Sequence, residues 1–210
     1  MNVLLSPIGR RGYLAEQFRS ALAGRGRTVT ADMSPHAPGA VFGDRHLVVP
    51  PCDHDKYPFA MAEVCRDDAI DLLIPLHDHE AFLLGTSLAD ELPASVQVLT
   101  LQGGAAHQAW DKARTGELAR AGGAGYPVTA DSVASAHSLG LSGRIVIKPR
   151  FGSASLRTLI AELDSAQSLS HVRALESSST PFVVQELVEG VEYGLDVVGH
   201  LDHSYAGCLV

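Results

Sequence analysis

The stretch Ile145-Val146-Ile147-Lys148-Pro149-Arg150-Phe151-Gly152-Ser153-Ala154-Ser155 sets a lysine at the end of an apolar strand and follows it at once with a loop of small residues. Its β-branched residues favour the pleated strand. A loop of this kind can close its backbone amides over phosphate oxygens while the lysine supplies a compact positive charge. A strand end capped by a solvated lysine satisfies the same residues, because short glycine motifs recur without function. The neighbouring sequence has to decide between the two.

Downstream, Phe182-Val183-Val184-Gln185-Glu186-Leu187-Val188-Glu189-Gly190-Val191-Glu192-Tyr193 is an apolar strand that runs into a short connector and then a further strand. Such a connector offers a carbonyl and an amide that can read a purine edge, and Glu192 can accept hydrogen bonds from two neighbouring ribose hydroxyls. An ordinary hairpin with exposed acids is the competing reading. Around these segments the pattern predicts strands over 144–148, 158–163 and 182–187 and a helix over 165–176, a small α+β lobe. Residues 191–198 alternate as a strand, Gly199-His200-Leu201-Asp202 supplies a turn, and 204–210 begin the return strand. Ending on Cys208-Leu209-Val210 with no polar tail, the chain is expected to stop in mid-sheet.

Upstream, strands and helices alternate. Val3-Leu4-Leu5, residues 28–31, 47–50, 72–76 and 96–99 read as extended, with helices from Tyr13, over 59–67, and one that His77-Asp78-His79-Glu80 leads into and that runs through Leu92. This implies a mostly parallel, doubly wound sheet covered on both faces. A helix over 110–121 ends in Gly122-Gly123-Ala124-Gly125 and Pro127, a cluster of stop signals. The expected division is an α/β domain over 1–108, a smaller lobe with its connecting helix over 109–189, and the start of a second lobe over 190–210.

The chain has 210 residues, 46% of them hydrophobic and 19% charged, so it can bury a sizeable core. Sixteen Lys and Arg against 24 Asp and Glu give a net charge of −8, which argues against nucleic-acid or membrane-surface partners. The N-terminus carries no basic leader or long apolar run, and the expected location is cytoplasmic. Cys52, Cys65 and Cys208 lack the spacing of a zinc site or disulfide framework.

Taken together, the two strand-and-loop segments resemble the ATP-grasp superfamily, and the order of the chain fits, with Asp111-Lys112-Ala113-Arg114-Thr115 opening a helix between them. The phrase over 148–155 is similar to that of proteins like the carbamoyl-phosphate synthase large subunit, with biotin carboxylase more distant. The resemblance implies an α/β fold: a Rossmann-like pre-ATP-grasp domain followed by a partial ATP-grasp α+β domain. It implies an ATP-dependent ligase that joins a small-molecule carboxylate to an amine through an acyl phosphate. By the same resemblance Lys112 approaches the ATP phosphates and Lys148 contacts the α- and β-phosphates. Gly152, Ser153, Ala154 and Ser155 form the loop over the triphosphate. Gln185, Glu186, Leu187 and Val188 form the adenine hinge, Val188 lending an amide and Glu186 a carbonyl, and Glu192 is the ribose acid.

Two departures matter. Ala154, Leu156 and Arg157 stand where related loops carry further glycines, so this loop is stiffer. The family's metal ligands, an acid and a later Glu-x-Asn, belong to a C-terminal lobe, so Mg2+ is expected only with that lobe. Glu189, Asp196 and Asp202 lack the convergence a hard cation needs, leaving metal ligands and catalytic residues unassigned here. The segment alone is expected to be inactive and to self-associate through its open strand edge. A non-catalytic nucleotide-binding or scaffold module completed by a partner chain is the alternative.

His77-Asp78-His79-Glu80 invites a metal reading, but histidines two apart diverge on a helix. Asp78 capping the next helix explains the cluster better. At the carboxyl end of a parallel strand, Asp78 and Glu80 are also candidates for lining a substrate cleft. Ser6-Pro7-Ile8-Gly9-Arg10-Arg11-Gly12 has only GxxG spacing, so no nicotinamide cofactor is expected. Arg10 and Arg11 either meet an acidic substrate or are solvated turn residues.

Overall fold

The structure, a computed structural model, describes residues 1–200 and 204–209. Five short strands form a parallel sheet: β1 (Val3–Ser6), β2 (Thr28–Asp32), β3 (Arg45–Val48), β4 (Leu72–Pro75) and β5 (Gln97–Val98), in the order β3-β2-β1-β4-β5. Strand β1 is buried at every position because both sheet faces are covered. Its alternation shows this directly, with Leu4 in one core beside Tyr57, Met61 and Leu73, and Val3 and Leu5 in the opposite core beside Ile8, Ala15 and Ile74. The covering helices are α1 (Gly12–Leu22), α2 (Tyr57–Asp67) and α3 (Asp78–Leu84).

Helix α3 is shorter than expected. Gly85 ends it, and only a 3-10 turn at Ala89–Glu91 follows, so the helix does not run through Leu92. The helix expected over 110–121 is α5 (Lys112–Ala121), and a further helix that was not expected, α4 (Gly103–Trp110), precedes it. Asp111 breaks them with an extended backbone, and its carboxylate accepts from the Ala113 amide at 3.0 Å as the N-cap of α5.

The second sheet is antiparallel: β6 (Thr129–Ala130), β7 (Arg144–Pro149), β8 (Leu159–Glu162) and β9 (Phe182–Glu186), in the order β6-β9-β7-β8. Helices α6 (Val133–Ser138) and α7 (Ala166–Ser177) contribute Ala136, Val172 and Leu175 to a core with Ile145, Ile147 and Val184. Serine caps start both helices, Ser132 accepting from Ser135 and Ser165 from Ser168, each at 3.1 Å. Strand β6 and helix α6 were not expected from the sequence. Two strand residues leave no alternation to read, although Ser132 was a legible cap.

The last pair is β10 (Asp196–Gly199) with β11 (Tyr205–Leu209), antiparallel, with a register shift at Val198/Gly199. Regular pairing starts at Asp196, so the strand expected over 191–198 is half as extended as its alternation suggested. The turn expected over 199–202 falls partly, and Val210 wholly, outside the described residues. Among the described residues no helix is long and apolar enough to cross a membrane.

Candidate functional site

A cleft of about 1230 Å³ lies between the antiparallel sheet and the carboxyl end of the parallel one. Every residue that the sequence resemblance assigns to ATP lines it: Lys112, Lys148, Gly152, Ser153, Ala154, Ser155, Gln185, Glu186, Leu187, Val188 and Glu192. Strand β7 delivers Lys148 and the start of α5 delivers Lys112. Both ammonium groups are held below the ordinary lysine range by loss of water, and for Lys112 the charge of Lys148 adds to this. Asp78 opposes the shift at Lys112. Lys112 Nζ donates to the Gly152 carbonyl at 2.6 Å, whereas among the described residues Lys148 Nζ has no hydrogen-bond or ion-pair partner. A half-buried, unpaired ammonium beside a second cation favours an anion between them.

Past β7 the loop turns through left-handed backbone at Gly152 (φ 105°), Ala154 (φ 57°), Ser155 (φ 54°) and Arg157 (φ 56°). Three of these carry a Cβ, so the turn is strained where glycine would relax it. Arg157 holds it in place by donating to Thr180 Oγ1 and Ser178 Oγ, both at 2.8 Å. At the loop's base the Arg150 guanidinium donates two bonds to Asp111, at 2.7 and 2.6 Å, clamping the end of β7 to the start of α5. The sequence reading did not single out Arg157 or this clamp. An acid directly before Lys112 was the available signal for the clamp.

At the hinge, Gln185 is 3% exposed and its side chain donates to Thr129 Oγ1 at 2.8 Å, so it anchors β6. The Glu186 amide and carboxylate both engage Val128, at 2.9 and 3.3 Å. Among the described residues the Val188 amide donates to no protein acceptor. Glu192 is exposed on the cleft wall.

The opposite wall carries His77, Asp78, His79 and Trp110. His77, with extended backbone, occupies the N-cap of α3 without a side-chain bond, and Asp78 is the first helical residue, so Asp78 does not cap the helix as expected. His79 stacks on Trp110 at 5.3 Å, and its Nδ1 lies 3.6 Å from Cys52 Sγ. Burial, then the charge of Glu80, pushes the Cys52 thiol up to about 11, which keeps it protonated.

Three candidates for the substrate cleft are not in it. Glu80 is 1% exposed and accepts from the Tyr57 hydroxyl in the core of the parallel-sheet domain. Asp78 and Glu80 are two residues apart on a helix, about 200° around the axis, so one faces the cleft and the other the core. Arg10 and Arg11 are exposed and absent from the cleft lining. Their loop folds back on its own domain, where the Gly9 amide donates to Asp32 Oδ2 at 2.9 Å and the Gly9 carbonyl accepts from Gly39 at 2.7 Å. Asp32, at the position where a dinucleotide ribose would seek an acid, is thereby occupied by the protein's own amides.

Among the described residues no group of three or more His, Cys, Asp or Glu is placed to hold a metal ion. Glu189 is exposed and enters an ion pair with Arg144 at 3.7 Å. Asp202 and the side chain of Asp196 lie outside what the structure describes.

Residues 3–99 match the family described as PylC-like, N-terminal domain. No curated protein matches the sequence. Among solved structures, N5-carboxyaminoimidazole synthetase from Staphylococcus aureus complexed with ADP is 14% identical, with a TM-score of 0.63 over 89% of this chain and 47% of that one. The biotin carboxylase domain dimer of Hydrogenobacter thermophilus 2-oxoglutarate carboxylase, in complex with MgADP, ADP and bicarbonate, is 14% identical, with a TM-score of 0.65 over 90% and 44%. The L-amino acid ligase from Bacillus licheniformis is 14% identical, with a TM-score of 0.61 over 94% and 46%. The chain spans about half the length of these structures. The likeness establishes the fold: a Rossmann-like pre-ATP-grasp domain followed by part of an ATP-grasp α+β domain.

Proposed function

We propose that the cleft binds an adenine nucleotide and that the chain supplies this part of an ATP-dependent carboxylate–amine ligase. The observation that carries the reading is the pair of desolvated lysines in one cleft, with a small-residue loop at one end and a hinge at the other. Lys148 faces the α- and β-phosphates, the loop from Gly152 to Ser155 keeps water from them, Val188 N–H and Glu186 C=O read adenine, and Glu192 accepts from the ribose. In the reaction a carboxylate oxygen bonds to the terminal phosphorus as the bond to ADP breaks. An amine nitrogen then bonds to the acyl carbon, phosphate leaves with the carbon–oxygen bond, and the ammonium proton passes to solvent. The lysines neutralise charge that spreads over the phosphoryl oxygens.

The likeness of residues 148–155 to the carbamoyl-phosphate synthase large subunit supports acyl-phosphate chemistry, as do the named activities of the structural neighbours. The described residues do not fit Mg2+, and we place its ligands in a further lobe, as the family pattern implies. Calorimetric titration with ADP tests the reading. Lys148→Ala is expected to weaken binding at least about tenfold, a loss of roughly 1.4 kcal/mol. Equal affinity in the variant contradicts it.

A further inference from the structure

A second cavity of about 330 Å³ opens between α3 and α4. Its walls are Ala81, Phe82, Leu101, Ala106 and Ala109, apolar apart from Thr100. Asp78 and Trp110 line both this pocket and the nucleotide cleft, so they stand where the two meet. Asp78 is exposed, and among the described residues its carboxylate has no hydrogen-bond or ion-pair partner. Its field nevertheless reaches Lys112. A bound molecule spanning this junction therefore meets two cations on one side, one anion at the corner and an apolar recess beyond.

We propose that the acid this cleft activates is an α-amino acid with an apolar side chain, its carboxylate toward Lys112, its ammonium on Asp78 and its side chain in the pocket between α3 and α4. The proposal rests on the ligase reading for the fate of the carboxylate, but the site itself stands on the geometry of the junction. Asp78 also has a chemical use here. An amino acid carries its own nucleophile, and a neighbouring carboxylate keeps that nitrogen protonated, so the activated acid does not condense with a second copy of itself. The recess is lined mostly by apolar side chains, which suits an apolar substituent such as a branched aliphatic or aromatic one. An acidic side chain placed there would lose water without gaining a partner.

Trp110 is the only tryptophan in the chain and lines both cavities, so its fluorescence reports the site directly. The probes are L-leucine and L-phenylalanine, with 4-methylpentanoate (leucine without its amine), 3-methylbutylamine (without its carboxylate) and L-glutamate as comparisons. Leucine or phenylalanine is expected to give a saturable change, with each comparison compound at least about tenfold weaker, by the unpaired polar group each leaves. Asp78→Asn is expected to weaken leucine binding to the level of 4-methylpentanoate, and Asp78→Glu to restore part of it. Equal binding of leucine and 4-methylpentanoate, no saturable signal with either amino acid, or full affinity in Asp78→Asn overturns the assignment. Binding of ADP to the unaltered chain is measured separately by calorimetry. Nucleotide binding without amino-acid binding sinks this inference alone, while amino-acid binding without nucleotide binding leaves the site standing and removes the ligase reading.

Discussion

The carboxyl group of Glu80 has exchanged water for the hydroxyls of Tyr57 and Ser6, and burial pushes its pKa from 4.5 up to about 7, with Asp32 adding to the rise and the two hydroxyls opposing it. Its folded pKa lies above its unfolded one, so the folded state holds the extra proton between them. Stability from this group is therefore fully present below about pH 4.5, falls as pH rises toward 7, and is level above that. The full loss is about 3 kcal/mol. Urea unfolding of the wild type should lose stability from pH 5 to pH 8, and Glu80→Gln should largely remove that slope; an unchanged slope in the variant would locate the titration elsewhere. Asp111 gives a second residue-level test. It is 5% exposed, and its Arg150 bonds hold its pKa below the usual carboxylate range. Arg150→Ala leaves that buried charge with backbone amides and the longer Arg114 ion pair at 3.6 Å, and should cost about 2 kcal/mol, read as a lowered urea midpoint. At this scale the lysines, loop and hinge were picked out by the resemblance of two short segments, and the structure brings them to one cleft. Glu80 was not, because four consecutive polar residues look exposed until the turn of α3 separates their faces.

Among elements, the loop over 152–158 and the α3–α4 junction line the two cavities. The loop's left-handed residues persist because Arg157 ties it to the end of α7. Arg157→Ala should therefore speed amide exchange from Gly152 to Thr158 while leaving the core of β7 protected, and uniform protection across the loop would argue against the tether. At the junction, a Cβ on Gly85 would collide with the Leu101 carbonyl, and the Gly103 amide donates to Gly85 at 2.9 Å. Gly85→Ala should cost about 1–3 kcal/mol and shift the emission of Trp110 as α4 moves. Wild-type stability and emission would show that the segment yields. The start of α5 was legible because Asp111 is a strong cap, whereas α4 before it was not expected from the sequence.

For the molecule as a whole, the parallel sheet was legible because strands buried on both faces show as apolar runs, whereas the seam between the two sheets is set by packing that no local pattern encodes. That seam places His77, Asp78 and Trp110 opposite the lysines. Elsewhere the pair β10 and β11 exposes Val197, Val198, Tyr205 and Leu209, each more than half accessible. Such an edge seeks a partner, and sedimentation should show association that rises with concentration and weakens in Val197→Lys. A strictly monomeric chain at high concentration would contradict this. The central claim, that the cleft is a nucleotide site, is tested most directly by following backbone amides in a 15N-labelled chain during titration with ADP. The account predicts shifts concentrated at Gly152, Ser153, Ala154, Ser155, Leu187 and Val188, even when binding is weak. No movement of these amides at millimolar nucleotide, or movement confined to the parallel sheet around Gly9 and Asp32, would contradict it.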